Sequence, residues 1–255
     1  MTARTWVDVQ RDVRGVAVLT INNPAKLNTL NTPVMTDLLA AAEALATDRD
    51  LRAVVLRGAG ERAFIGGADI REMAGLDAGS ARTFITMVHR CCNVFRRMPV
   101  PVIARIEGWT LGAGLEVAAA CDMRVAATGA RFGMPEVRVG LPSVVEAALL
   151  PGLIGWGRTR RLLLTGETID AAIALAWGLV EEVVKPDQLD AAVDRMVEAI
   201  LASGPRAVRL QKVLIDDWQA MAVDAAIQHG IDGFVDAWAS DEPRRMLEAF
   251  LQRPR

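Results

Sequence analysis

The stretch VPVIARIEGWTLGAGLEVAAACDMRVA, residues 100–126, decides the fold. VPVIARIEG is aliphatic, β-branched and ended by glycine, the pattern of a short buried strand. LGAG then places two glycines around Ala113, where a backbone without side chains can approach another group closely. GLEVAAACD is apolar apart from Glu116 and reads as a helix; MRVAATGARFGMPE returns to extended structure. Strand, helix and strand in succession predict parallel strands joined by a helical crossover.

The flanks repeat the pattern. GVAVLTI (15–21) reads as a strand closed by the turn signal NNP. TPVMTDLLAAAEALATD reads as a helix with Thr32 as N-cap and Pro33 in its first position. LRAVVLRGAG is a strand, and SARTFITMVHRCCNVFRRM an amphipathic helix with Ser80 as its cap. From about residue 143 the pattern becomes mainly helical. The expected class is α/β, with a core over 1–195 and a helical region over 196–255.

Composition narrows the function. With 52% hydrophobic and 24% charged residues the chain is globular, and its net charge of −2 lacks the basic excess that phosphate-backbone binding requires. No nucleic-acid partner is expected. The N-terminal MTARTWVDVQRDVRG has no apolar signal-peptide core, and no apolar run reaches the roughly 18–20 residues of a membrane span. The expectation is no membrane association and a cytoplasmic location. Cys91, Cys92 and Cys121 are odd in number and read as reduced thiols. His89 and His229 stand far apart, without metal-ligand spacing, so no metal is expected.

Two glycine segments carry candidate chemistry: AFIGGADI (63–70) and LGAGLE (111–116). The second opens a helix, whose N-terminus favours developing negative charge. One backbone N–H from each could polarise a single carbonyl oxygen, an oxyanion hole; the alternative is a pair of ordinary tight turns. No phosphate-binding loop, dinucleotide fingerprint or serine-hydrolase elbow is present. Two carboxylates stand out. Glu116 sits in the apolar helix, and Glu136 follows the proline of RFGMPEV. In one dry pocket their pKa values would be pushed apart, giving an acid and a base beside an activated carbonyl. The alternatives are an ion pair of Glu116 with Arg105 or Arg124, and a solvated loop position for Glu136.

The chain resembles the crotonase superfamily, the enoyl-CoA hydratase/isomerase family, in six collinear segments. These are INNPAKLNTLN, AFIGGADIREM, the 100–126 stretch, ARFGMPEVRVGL, LLLTGETIDAAIALAWGLVEEVV and EAFLQRPR. The resemblance implies a spiral of ββα turns with a C-terminal helical trimerisation region, assembled as a homotrimer or a dimer of trimers. It implies an acyl-CoA thioester substrate and no separate cofactor, coenzyme A being part of the substrate. The thioester oxygen would be held by the N–H groups of Ala68 and Ala113; the latter position is usually glycine. Glu116 and Glu136, twenty positions apart, match the two carboxylates of the hydratases, whereas family isomerases often keep only the second. The implied reaction is reversible syn addition of water to a 2-enoyl-CoA, Glu116 accepting the water's proton and Glu136 donating to Cα. Alternatives are an isomerase, a 3-hydroxyacyl-CoA dehydratase, another crotonase-type lyase, or a non-catalytic RNA-binding relative. Lys26, Leu27, Ala68, Asp69, Ile70 and Gly112 would border the substrate, with Asp69 also shaping its turn. Phe250 and Arg253 would reach a neighbouring subunit's coenzyme A.

One segment departs from the family. After Glu136, hydratases usually continue with a glycine-rich G-x-x-P-G-x-G-G; here VGLPSVVEAALLP puts Ser143, Val144, Val145 and Glu146 in those places. Ser143 is expected to cap a helix and Glu146 to face solvent on it, with a third polar group in the pocket as the alternative. His89 is expected on a helix surface.

Overall fold

The structure is a computed structural model that describes residues 5–252. The chain opens with β1 (Val7–Arg11), β2 (Val16–Ile21) and α1 (Thr32–Ala46). It continues through β3 (Ala53–Gly58), β4 (Ala63–Ile65), α2 (Ile70–Met73), α3 (Ala78–Arg96), β5 (Val102–Ile106) and β6 (Trp109–Leu111). Next come α4 (Ala113–Ala120), β7 (Met123–Ala127), β8 (Arg131–Gly133), α5 (Leu150–Thr165), β9 (Thr168–Asp170), α6 (Ala171–Trp177) and β10 (Glu182–Val184). Four helices complete it: α7 (Leu189–Leu201), α8 (Pro205–Trp218), α9 (Val223–Ala237) and α10 (Glu242–Leu251).

Two sheets result. The larger has the order β1-β2-β3-β5-β7-β10 and is parallel except at β1; the smaller has the order β4-β6-β8-β9 and is parallel except at β9. Each turn of the chain adds one strand to each sheet and then a helix: β3, β4 and α3; β5, β6 and α4; β7, β8 and α5. This is the expected spiral of ββα turns. β5 is buried at all five positions because both faces of its sheet are covered. One face meets the main core, including α1, α3 and α4; the other meets Leu189, Val193 and Val197 of α7. The position 195/196 falls inside α7, which packs with the sheet.

Two helix starts differ from expectation by a few residues. α1 is capped by Asn31, which accepts from Val34 N–H, and not by Thr32. α3 begins at Ala78 with Asp77 as cap; Ser80 is the third position of a reciprocal capping box. All four are good capping residues, and the backbone turn selects the earlier one each time. The cysteines are free and buried, and burial pushes the Cys91 and Cys121 thiols up to about 12.

The C-terminal helices are fastened to the core through α8. Lys212 is buried and donates to Phe95 O, Val100 O and Asp122 Oδ2 at 3.1, 3.0 and 2.6 Å. On α8 and α9, Trp218, Ile227, Ile231, Phe234 and Val235 are exposed. No helix among the described residues is long and apolar enough to cross a membrane.

Candidate active site

Close backbone contacts bring the two glycine segments together. A β-carbon on Gly114 would come within 2.1 Å of Ile65 O, so the first turn of α4 lies directly on β4. Gly67 has φ +110°, and a β-carbon there would stand 3.2 Å from Leu111 O. The Leu30–Ala68 bridge uses Gly67 O and Asp69 N–H, so Ala68's own N–H takes no part in it. Ala113 is the first residue of α4, where an N–H has no acceptor within its helix. Both segments line one cavity of about 230 Å³.

Glu116 and Glu136 line that same cavity. Glu116 is 4% exposed. Burial, then the neighbouring Glu136, push its pKa from the usual 4.5 up to about 8, against the opposing pull of the Ala147 N–H; Glu146 raises it further and the Val144 N–H lowers it. Neither arginine considered as its partner is there: Arg105 pairs with Asp190 and Glu107, and Arg124 with Glu181. Glu136 is half-buried. Its Oε1 lies where a β-carbon on Gly112 would stand, and its Oε2 accepts from Ser143 Oγ at 2.7 Å. Ser143 therefore positions a carboxylate and caps no helix; the short 3-10 turn Val145–Leu149 starts after Val144 without a side-chain cap. Beyond the two carboxylates and Arg138 the cavity wall is apolar, with Phe84, Ile85 and Val88 of α3, Leu141 and Val144.

Two carboxylates facing one apolar pocket beside two free amide donors can protonate and deprotonate adjacent carbons of an activated acyl group. Residues 11–255 match the model of the enoyl-CoA hydratase/isomerase family. The chain belongs to that family. It is 35% identical to the short-chain-enoyl-CoA hydratase of Clostridium acetobutylicum, covering 93% of this chain and 92% of that one. It is also 35% identical to the crotonyl-CoA hydratase of Syntrophomonas wolfei, covering 93% and 92%. The crystal structure of an enoyl-CoA hydratase from Mycobacterium smegmatis superposes with a TM-score of 0.95 at 31% identity, covering 99% of both chains. The enoyl-CoA hydratase/isomerase fold, with its helical C-terminal region, is thus the fold of this protein.

Within this enoyl-CoA hydratase/isomerase frame, some of the other expected residues line the cavity and others lie outside it. Ile70 lines the cavity and is exposed at its mouth. Lys26 and Leu27 are outside the cavity wall; Lys26 Nζ reaches Asp69 Oδ2 at 3.6 Å, and Leu27 packs where Gly66 leaves room. Asp69 caps α2 by accepting from Arg71 and Glu72 N–H, which is its turn-shaping role. Phe250 is exposed on α10, and Arg253 lies outside the described residues.

Glu146 overturns its expectation. It is 3% exposed, its Oε1 is 2.8 Å from His89 Nδ1, and its Oε2 has no hydrogen-bond partner. The helical reading of VVEAALL failed because the segment is a 3-10 turn entered through Val145 in the left-handed region, φ 41°. That conformation is costly for a β-branched residue. His89 is half-exposed on α3, and only its ring edge reaches inward.

Proposed function

We propose that the protein is an enoyl-CoA hydratase, adding water reversibly and syn across the Cα=Cβ bond of a 2-enoyl-CoA thioester. The observation that carries this reading is that Glu116 and Glu136 line one cavity with Ala68 and Ala113. The thioester oxygen accepts from the N–H groups of Ala68 and Ala113, which stabilise the enolate as charge reaches it. The carboxyl pair holds one proton, resting on Glu116, whose pKa burial has raised to about 8. A water bridging the two carboxyls passes that proton to Glu136. The water oxygen then bonds to Cβ as its proton goes to Glu116, the π electrons move to the thioester oxygen, and Glu136 gives its proton to Cα. The product is the 3-hydroxyacyl-CoA, and the proton is again on Glu116, so the cycle closes without an outside acid or base.

The apolar wall of Phe84, Ile85, Val88 and Val144 suits a hydrocarbon acyl group. Lys26, Leu27, Asp69, Ile70 and Gly112 border the coenzyme A and thioester path, and Phe250 and Arg253 serve a neighbouring subunit. Coenzyme A enters as part of the substrate, and the chemistry consumes no cofactor. The exposed apolar face of α8 and α9 supports assembly into a trimer or a dimer of trimers, working in the cytoplasm.

The test is loss of the conjugated-thioester absorbance when the protein is mixed with crotonyl-CoA and with longer or branched enoyl-CoAs. Hydration of at least one, abolished in both Glu116→Gln and Glu136→Gln, is expected. No turnover with any of them would overturn the reading.

A further inference from the structure

Behind the catalytic pocket lies a buried carboxylate that the proposed reaction does not use. Glu146 sits in the 3-10 turn Val145–Leu149, which packs against α3 and α4. Among the described residues, the titratable groups that face it are His89 and Cys92 of α3 and Glu116 of α4. Its Oε2 is fully enclosed with no hydrogen-bond partner of its own, and the weak thiol donor of Cys92 is the other group against the carboxyl. An enclosed carboxylate with one bare oxygen costs stability, and such a group persists where the surroundings use it. Val145, beside it, holds a second unfavourable arrangement, a β-branched residue at φ 41°. Together these fix a carboxylate in the turn that packs on α4, with the Cys92 thiol hydrogen-bonded to it; burial, then Glu146 and Glu116, push that thiol's pKa up. The same turn supplies the amides of Val144 and Ala147 that face the Glu116 carboxyl.

We propose that Glu146, clamped by His89, is a positioning residue for Glu116: it locks the 144–147 turn against the Glu116 carboxyl and supplies a negative charge beside it. The clamp is mechanical at one end and electrostatic at the other. His89 fixes Oε1 from the protein surface, and the charge of the carboxyl acts on Glu116 from the neighbouring turn. Like charge disfavours ionisation of Glu116, which keeps the shared proton there until water bridges to Glu136. The inference rests on the hydratase reading for its consequence in catalysis; its effect on Glu116 rests on the packing of the Glu146 turn against α4 and on the His89 contact that fixes the carboxyl there.

Two variants separate the mechanical and electrostatic parts. Glu146→Gln keeps the size of the side chain and an acceptor for His89 but removes the charge. His89→Ala, at a half-exposed position, releases the clamp, and a thermal melt checks that the protein still folds with the Glu146 oxygen left without its partner. In Glu146→Gln the alkaline limb of the kcat/KM profile for crotonyl-CoA moves toward acid by about one pH unit, the size of one like-charge neighbour's influence. In His89→Ala, kcat falls about tenfold with KM little changed, because Glu116 is bound by a looser turn. A readout without substrate runs beside these: the infrared carbonyl stretch of protonated Glu116, assigned by its absence in Glu116→Gln and titrated in the free protein. It shifts in the same direction in Glu146→Gln. An infrared titration and a pH limb both unmoved in Glu146→Gln, in protein whose wild type hydrates crotonyl-CoA, overturn the inference. A wild type that hydrates nothing overturns the hydratase reading instead, and the infrared titration still decides the inference.

Discussion

The Glu136 carboxylate occupies the space that a side chain at position 112 would need: a β-carbon on Gly112 would stand 2.2 Å from Glu136 Oε1. Gly112 also has φ +51° and ψ −122°, a conformation that side chains resist. The first prediction follows from both facts. Gly112→Ala must push Glu136 aside while α4, whose first residue is Ala113, remains anchored by its apolar run. Hydration of crotonyl-CoA should fall about a hundredfold, the usual cost of an ångström-scale displacement of a reacting group. A thermal melt should show that the protein is still folded. Activity within a few-fold of wild type would mean that Glu136 does not need its observed position.

Ser143 gives a second, finer prediction. Its hydroxyl donates to Glu136 Oε2 at 2.7 Å, so it selects which oxygen is left to meet the bridging water. Ser143→Ala removes one hydrogen bond to a charged acceptor, worth about 1.5–3 kcal/mol, and should lower kcat by about tenfold or somewhat more. Ser143→Thr keeps the hydroxyl and should recover most of the loss. Steady-state kinetics on the three proteins decide the matter: equal rates for Ala and Thr would remove Ser143 from the mechanism.

The third prediction concerns pH. The proton delivered to Cα is the one the carboxyl pair shares, and it rests on Glu116 with a pKa of about 8. An apparent pKa of this kind belongs to the pair. Loss of that proton should make kcat/KM fall as pH rises through about 8. Stability has its own sign. Below pH 4.5 both folded and unfolded chains hold the Glu116 proton; between 4.5 and about 8 the unfolded chain releases it and the folded one keeps it. The unfolded state thus binds fewer protons in that window, and stability falls as pH rises across it. Glu116→Gln removes this slope. Its stability should gain on the wild type through that window, by on the order of 5 kcal/mol above it. Urea unfolding at several pH values measures the gap, and a gap that stays constant with pH would show that Glu116 titrates normally.

Much of this was legible before any coordinates. The βαβ unit over 100–126 could be read because strand, glycine turn and apolar helix have different periodicities, and these survive in the fold as β5, α4 and β7. Glu116 stood out for the same reason, a lone carboxylate in an alanine-rich helix. Its partner was harder: Glu136 arrives from a loop, and sequence distance says nothing about which loops meet. The pairing of β6 with β8, with Gly112 N–H donating to Gly133 O, makes that meeting; the residues alone left it one alternative among several, and the family resemblance selected it. Glu146 was misread for a physical reason. Its neighbours Val144, Val145, Leu149 and Leu150 have a helix-like pattern, which assigned the glutamate to the wet face. The left-handed Val145 breaks the helix and turns that face inward, a conformation that residue propensity argues against. Ser143 was misassigned because the same short polar side chain can cap a helix or hold a carboxylate.

The last prediction tests what holds the helical region to the spiral. Lys212, on α8, is the buried cation at that junction; it meets Asp122 Oδ2 and the carbonyls of Phe95 and Val100. The same Asp122 oxygen accepts from Val102 N–H at 2.6 Å, at the start of β5. The ion pair therefore ties α8 to the end of α3 and to the strand that leads into the glycine turn. Lys212→Met keeps the stem volume but strands a carboxylate and two carbonyls. The expected loss is about 1–3 kcal/mol, set mainly by the two carbonyls left unpaired, since Asp122 is partly exposed to water. Lys212→Met combined with Asp122→Asn removes the stranded charge and should recover part of the loss, since the introduced amide oxygen can still accept from Val102 N–H. The free energies from denaturant unfolding close this cycle. If the double variant is as unstable as the sum of the two single ones, the pair is not coupled and α8 is held by its apolar contacts alone.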